Sequence, residues 1–199
     1  MRVINTARLT LEPQTAAHAN EMFVVLSDPA IYEYENKPPP SLEWLRVRFA
    51  RLETRLSADG HEQWLNWVIR LATSELVWCP PCGAARRFPQ RGRALWGGPA
   101  ALIGYVQATV RPPGDAAIAY ELSSPYWGRG LAFEAVNATI VELVEHYGVR
   151  SLFAVLKHGN FRSVRLLERL GFCPASAEER AQNQVEPDEV LMCREGERK

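Results

Sequence analysis

The sequence predicts an α+β protein whose mixed, mostly antiparallel sheet of about six to seven strands is flanked by helices. Several short segments alternate apolar and polar residues or are rich in Ile and Val, which is typical of strands. Four longer segments repeat apolar residues at the spacing of one helical face. Two strand–helix units in the second half of the chain follow a predicted hairpin, so the sheet should mix both strand directions.

The N-terminal part of the chain predicts a strand over residues 2–12 and a helix over residues 15–26. The apolar positions of that helix follow the i, i+3, i+4, i+7 pattern, and they are Ala19, Met22, Phe23 and Leu26. Asp28-Pro29 ends the helix, because a residue that precedes proline is disfavoured in helical geometry.

A second amphipathic helix is predicted from Ser41 to about Asp59-Gly60. Ser41 is a suitable N-cap, and Glu43 lies near the positive end of the helix dipole. Apolar residues repeat at alternating spacings of three and four: Leu42, Leu45, Phe49, Leu52 and Leu56. The opposite face carries Arg46, Arg48, Arg51 and Arg55. We expect that face to be a solvated surface rather than a nucleic-acid site.

The other regular elements are strands at 64–71, 101–110, 116–122 and 151–156, and helices at 131–147 and 160–170. Pro112-Pro113-Gly114-Asp115 predicts a hairpin turn between two of the strands. Gly148 and Gly171 follow the two helices, where a left-handed residue commonly ends a helix. Residues 190–192 indicate a last strand.

Residues 72–99 do not fit this pattern and predict an insertion within a single domain that spans residues 1–199. The segment holds four Pro, four Gly and four Arg against one acidic residue. Cys79 and Cys82 in it have the spacing of two zinc ligands, but no second pair of that spacing completes a site. Zinc at Cys79 and Cys82 is therefore possible, and a plain loop is the favoured interpretation.

Composition restricts the partners and the compartment. The 23 basic and 23 acidic residues balance, which argues against a globally basic nucleic-acid binder and against attraction to an anionic membrane. No apolar stretch reaches the ~18 residues of a membrane helix, and the N-terminus lacks the apolar core of an export signal. We therefore expect a cytoplasmic protein with reduced cysteines, either a monomer or a homodimer.

A glycine-containing loop carries the strongest chemical signal. It leads from the strand that ends at Leu122, through Gly128 and Gly130, into a helix N-terminus, where free backbone N–H groups suit a phosphate. Phe133 stands where a dinucleotide fingerprint needs its third glycine, which disfavours a nicotinamide-dependent oxidoreductase. By itself the loop fits an ordinary strand–helix turn equally well.

A second motif makes the loop more specific. Tyr-Trp-Gly-Arg-Gly-Leu-Ala at 126–132, with Asn160-x-x-Ser163 and Gly171-Phe172 downstream, resembles the acetyl-CoA-binding core of the GNAT N-acetyltransferases. The opening Thr-Ala-Arg-Leu-Thr-Leu at 6–11, Asp28-Pro29 and the segment 65–70 are similar to the RimJ/RimL-like branch, the ribosomal-protein-alanine acetyltransferases. The resemblance covers nearly the whole chain except the insertion and the last residues.

This resemblance implies a GNAT-type sheet that splits between the strands ending near Leu122 and Leu156. It also implies that the loop amides bind the pyrophosphate of acetyl-CoA. The cofactor-binding residues carried over from the family motif are Leu122, Trp127, Gly128, Arg129, Gly130, Leu131, Ala132 and Asn160. Trp127 departs from the Gln or Arg usual at its position, which matters little if backbone groups hold the ligand. Asn160 is equally well explained as a plain N-cap.

Catalysis in this family implies a base that deprotonates the acceptor ammonium, and Glu121 is the best candidate. Its alternative is a surface carboxylate of an edge strand. The N–H near Leu122 would polarise the thioester carbonyl. Leu167 occupies the position of the usual tyrosine acid, so Ser163 or water would serve the leaving thiolate. His158 is a weaker candidate for the same cleft.

The sequence thus predicts an acetyl-CoA-dependent N-acetyltransferase that transfers an acetyl group directly to a primary amine, either a protein N-terminus or a small molecule. The alternative is a catalytically impaired coenzyme-A-binding sensor or interaction module, which Leu167 keeps open. Aromatic residues between the first elements could line the acceptor pocket or pack in the core: Tyr32, Tyr34, Trp44 and Trp64.

Overall fold

The computed structural model describes residues 1–34, 37–72, 101–183 and 185–195. The predicted insertion at about 72–99 lies outside the described residues except for Ala72, and so do Cys79 and Cys82. The described residues form one eight-stranded sheet flanked by helices, in the order β1-β2-β3-β4-β5-β6-β8-β7. The predicted fold class is confirmed, with one strand more than the upper bound expected.

The sheet is antiparallel throughout its described strands except between β5 and β6. The strands are β1 Ile4–Asn5, β2 Leu9–Pro13, β3 Gln63–Leu71, β4 Leu102–Arg111, β5 Asp115–Leu122, β6 Ser151–Lys157, β7 Cys173–Pro174 and β8 Glu189–Glu195. The helices are α1 Ala19–Val25, α2 Leu42–Leu52, α3 Leu131–Tyr147, α4 Phe161–Arg169 and α5 Ala177–Gln182. None of the helices in these ranges is long and apolar enough to cross a bilayer.

The N-terminal strand predicted over residues 2–12 is wrong as a single element. The chain turns at Thr6 and pairs β1 with β2 as an antiparallel hairpin, with Ile4 opposite Leu11. Thr6 closes the turn, because its backbone N–H donates to the Leu9 carbonyl at 2.9 Å and its hydroxyl accepts from the Leu9 N–H at 2.9 Å. A local side-chain bond of this kind competes with extended structure.

The second helix is shorter than predicted. Ser41 caps α2 as expected, since its hydroxyl accepts from the Trp44 N–H at 3.1 Å, but the helix ends at Leu52 instead of near residue 59. Arg55 adopts a φ of 65°, which a continuing right-handed helix does not allow, and Leu56 pairs with Gln63 instead. The short α5 and β7 carried no apolar periodicity and were not predicted.

Two apolar layers cover the two faces of the sheet. On one face α3 and α4 pack over a large core that includes Trp67, Ile103 and Leu152. On the other face α1 and α2 cover a smaller cluster that includes Met22 and Leu45. The face that carries Val68, Tyr105 and Glu121 therefore lies beneath α1 and α2, because directly paired residues of antiparallel strands share a face.

The sheet opens between β5 and β6, as expected. The two strands pair only from Asp115–Ser151 to Ala117–Phe153, although β5 continues to Leu122 and β6 to Lys157. Beyond Ala117 their backbones diverge and leave a gap between the strand ends. The loop after β5 and the N-terminus of α4 both border this gap. The predicted motifs therefore meet where β5 and β6 end, in the middle of the strand order.

Candidate active site

The gap opens into a cleft of about 810 Å³. Every site residue predicted from the sequence lines this cleft except Arg129, namely Glu121, Leu122, Trp127, Gly128, Gly130, Leu131, Ala132, Asn160 and Ser163. Segments that are far apart in the chain therefore meet at one place. The contacts that hold each of them there decide what this cleft can bind.

The loop before α3 has the geometry of an anion site. Gly128 and Gly130 both adopt a left-handed backbone, with φ of 72° and 74°. Gly130 is the N-cap of α3, and no side chain caps this helix end. The first N–H groups of an α-helix have no partner inside the helix, and the helix dipole makes this end positive. The loop thus offers backbone donors to a phosphate at the mouth of the gap.

The N-terminal hairpin holds this loop in place through Glu134 in the first turn of α3. The Glu134 carboxylate accepts from the Thr6 hydroxyl at 2.6 Å and from the Arg8 Nε at 2.7 Å, while the Arg8 Nη1 donates to the Arg129 carbonyl at 2.9 Å. Burial opposes the effect, but hydrogen bonds from Thr6 and Arg8 lower the pKa of Glu134. This carboxylate is therefore ionised at neutral pH and anchors the loop.

Trp127 fastens the loop to the end of β5 and to α4. Its indole Nε1 donates to the Leu122 carbonyl at 2.6 Å, and the Arg162 guanidinium lies 4.0 Å from its ring centroid. Arg162 also pairs with Glu33 at 2.8 Å across the cleft. Trp127, which stands in place of the usual Gln or Arg, thus packs against Arg162 and positions the loop.

The Leu122 backbone faces the open gap. The Ser123 N–H donates to the Ile103 carbonyl of β4 at 2.9 Å. Because successive backbone groups of a strand point to opposite sides, the N–H of Leu122 is directed away from β4 and toward the gap. Asp28 fixes the segment that follows, accepting from the Ser124 N–H at 2.7 Å. A backbone donor is therefore aimed at the space between β5 and β6.

Glu121 points to the face of the sheet that α1 and α2 cover, and it lies opposite Tyr105 of β4. The Tyr105 hydroxyl forms a hydrogen bond with its carboxylate, and burial together with this negative charge raises the pKa of Tyr105 well above its ordinary value. Burial and the same carboxylate raise the pKa of Tyr32 to about 12. Both phenols stay protonated at neutral pH, so Tyr105 donates and the carboxylate accepts. Glu121 is thus a half-buried carboxylate that lines the cleft where β5 ends.

The N-terminus of α4 brings two hydroxyl groups together on the α3 side of the sheet. Asn160 is the N-cap, with its Oδ1 accepting from the Ser163 N–H at 3.1 Å. The Tyr120 hydroxyl of β5 is enclosed, and no group in the described ranges completes a hydrogen bond of regular geometry with it. Burial raises the pKa of Tyr120 to about 12, and a contact with the Ser163 side chain offsets part of that rise.

The sequence matches the acetyltransferase (GNAT) domain family over residues 8–173, well over half of its length. The chain belongs to the GNAT acetyltransferase family. The resemblance drawn from the two motifs is thereby confirmed at the level of the family. No curated protein matches the sequence.

Three solved acetyltransferases illustrate the shared fold. RimL, an alpha-N-protein acetyltransferase of a ribosomal protein solved with coenzyme A, has 15% identity and a TM-score of 0.70 over 98% of each chain. A ribosomal-protein-alanine acetyltransferase from Vibrio fischeri has 16% identity and a TM-score of 0.70, covering 98% of this chain and 97% of that one. The microcin self-immunity acetyltransferase MccE, solved with acetyl-CoA and AMP, has 14% identity and a TM-score of 0.67, covering 96% and 94%.

The structure of this GNAT protein separates the aromatic residues that were expected near the acceptor. Tyr32, Tyr34 and Trp44 line the main cleft, whereas Trp64 lines a smaller cavity beside it. His158 is exposed and does not line the cleft. Leu167 is 1% exposed and packs in the core, so it brings no polar group to the reaction.

Sequence reasoning missed three cleft residues. From the sequence, Tyr105 and Tyr120 are aromatic residues of predicted strands and Arg48 belongs to a helix face expected to be solvated, whereas all three line the cleft. Their roles depend on pairing across strands and on which way α2 faces, which no local pattern reports. Within the described ranges no group of three or more His, Cys, Asp or Glu could hold a metal ion. The possible zinc ligands Cys79 and Cys82 lie outside those ranges.

Proposed function

We propose that this GNAT acetyltransferase is an acetyl-CoA-dependent N-acetyltransferase that transfers the acetyl group directly to a primary amine. The observation that carries the proposal is the position of Glu121, on the α2 face of β5 and one residue before the gap-facing N–H of Leu122. The Glu121 carboxylate, which can accept a proton, and the Leu122 N–H, which can donate a hydrogen bond, thus flank one point in the cleft. That point lies beside the glycine loop suited to a pyrophosphate, which supports the fit to acetyl-CoA.

The chain's own groups would divide the work of the transfer. Acetyl-CoA supplies an acetyl thioester, whose carbon–sulfur bond breaks as the bond to the amine nitrogen forms. Glu121 accepts the proton that the ammonium must lose before the nitrogen can attack. The Leu122 N–H donates to the carbonyl oxygen, which gains negative charge during the attack. The loop at Gly128 and Gly130 holds the pyrophosphate through backbone N–H groups.

The leaving thiolate carries a negative charge before water protonates it, and we assign its stabilisation by hydrogen bonds to the Tyr120 and Ser163 hydroxyls. Tyr120 is protonated at neutral pH and carries an enclosed hydroxyl without a regular partner. Ser163 lies beside it at the start of α4. We expect Tyr120→Phe to lower kcat about tenfold, the effect of losing one hydrogen bond to a charged group in the transition state.

The melting temperature distinguishes this role from a structural one. Removing an enclosed hydroxyl that lacks a regular partner should leave the protein as stable as before, or more stable. Tyr120→Phe should therefore lower kcat while the melting temperature is unchanged or higher. Ser163→Ala, assayed alone and combined with Tyr120→Phe, should give a combined loss smaller than the product of the single losses. An unchanged kcat in the double variant would refute the assignment.

A screen of primary amines tests the function as a whole. The full chain is incubated with acetyl-CoA and a panel of α-amino peptides, amino sugars, polyamines and amino acids, and free thiol and acetylated amine are both measured. We expect stoichiometric formation of the two products with at least one class of acceptor. Tight binding of coenzyme A without acetylation of any amine would instead support the catalytically impaired module that Leu167 leaves as the alternative.

A further inference from the structure

A second cavity of about 290 Å³ adjoins the main cleft on the α2 side. The two cavities share four lining residues, which are Arg48, Leu52, Asn66 and Gln107. They therefore lie side by side along the sheet beneath α2, with Glu121 in the first and Trp64 in the second. We call the two cavities together the α2 groove.

The floor of the α2 groove is polar and has a defined length. Tyr105 is paired with Glu121, and Gln107 follows two residues along the same strand, paired with Asn66 of β3. Two residues of an antiparallel strand span about 7 Å. The other neighbour of Gln107 is Ala119, whose small side chain leaves space above the sheet. An acceptor with its nitrogen at Glu121 would thus lie over the side-chain amides of Asn66 and Gln107.

The wall of the α2 groove carries two positive charges. Arg48 and Arg51 lie one helical turn apart on α2. The Arg48 guanidinium lies 5.5 Å from the ring centroid of Trp44, and the Arg51 guanidinium lies 5.5 Å from that of Trp64. Neither arginine makes a salt bridge with any described carboxylate, whereas Arg46 on the same helix pairs with Glu43 and bonds Asn20. The positive charge of Arg48 also acts on Tyr105, the partner of Glu121, where it opposes the rise in the pKa of Tyr105.

We propose that Arg48 and Arg51 bind an anionic group of the acceptor, so that the substrates of this enzyme are primary amines carrying a carboxylate or phosphate. Guanidinium groups match both anions through paired N–H donors. The groove also orients such a molecule, because Glu121 attracts the ammonium end and repels the anionic end. The inference rests on the proposed N-acetyltransferase function and names its substrate class.

Matched acceptors test the proposal on the full chain. One arm compares tripeptides with a free α-amine and Glu, Gln or Lys at the third position, and the other compares an aminoalkyl phosphate with the parent amino alcohol. We expect kcat/KM to be at least about tenfold higher for the anionic member of a set than for its neutral counterpart. The set with the larger ratio shows whether the anionic group is a carboxylate or a phosphate. Equal kcat/KM values within both sets would overturn the inference and leave amine acetylation intact.

Variants of α2 assign the preference to the two arginines. The Arg48→Gln/Arg51→Gln double variant should raise KM for the anionic acceptor at least about tenfold, with kcat and the KM for acetyl-CoA unchanged. Arg46→Gln, on the same helix but already paired, is the matched control and should change neither constant. If the double variant instead raises the KM for acetyl-CoA, the arginines serve the cofactor and the inference is wrong.

A charge reversal provides an independent readout. Arg48→Glu should shift the preference of the enzyme from the Glu peptide toward the Lys peptide, because the same site then repels an anion. An unchanged order of preference in this variant would contradict the inference. Failure to acetylate any amine in the wild-type protein would overturn the proposed function itself, and that outcome is distinct from loss of the preference alone.

Discussion

Replacing Glu121 with Gln should lower kcat at pH 7 by about 10²- to 10⁴-fold, the usual contribution of a general base. The amide keeps the shape of the side chain and can still bond the Tyr105 hydroxyl, but it cannot accept a proton from the acceptor ammonium. Binding of acetyl-CoA should be unaffected, because Glu121 lies on the face of β5 covered by α2, whereas the glycine loop leads into α3 on the opposite face of the sheet. Steady-state kinetics with the best acceptor, together with the Kd for coenzyme A, measure both effects.

The pH dependence identifies the cause of that loss. In the Glu121→Gln variant only acceptor that is already neutral can react, so the rate should rise about tenfold per pH unit below the pKa of the amine. Glu168→Gln removes an exposed carboxylate of α4 outside the cleft lining and serves as the control, with no expected change. Wild-type activity and an unaltered pH profile in Glu121→Gln would exclude Glu121 as the base.

Replacing Gly104 with Ala should destabilise the protein by at least about 2 kcal/mol, as expected for overpacking against backbone atoms. A Cβ at this position would lie 2.1 Å from the Glu121 carbonyl oxygen and 2.9 Å from the Leu122 Cα. Backbone atoms cannot rotate away as a side chain can, so β4 and β5 must separate locally. Differential scanning calorimetry should record a melting temperature about 4–8 °C lower.

Gly60→Ala is the matched control for this prediction. Gly60 has a φ of 73° and open space around its Cβ position, so alanine there adds backbone strain of about 1 kcal/mol without a clash. Gly104→Ala should cost more, and it should also lower kcat because the clash displaces the backbone of Glu121. A melting temperature for Gly104→Ala equal to that of the wild type would show that β4 and β5 accommodate the methyl group.

Elements defined by local chemistry could be predicted from the sequence. The bounds of α3 were predicted without error, because its apolar periodicity is long and a left-handed glycine, Gly148 with a φ of 64°, ends it. The glycine loop, the Asn160 cap and the split of the sheet were also placed correctly. The N-terminal hairpin and the end of α2 were not, since a side-chain bond at Thr6 and the backbone of Arg55 overrode the local pattern.

The sequence by itself determined the fold class, the family and the loop suited to a phosphate, because these depend on short segments whose capping and spacing act locally. Tertiary structure alone decided which groups accompany Glu121 in the cleft. Tyr105, Tyr120 and Arg48 come from β4, β5 and α2, and strand register and helix orientation bring them to the same cleft. Both are set by burial of the two apolar layers, which involves residues distant in the chain.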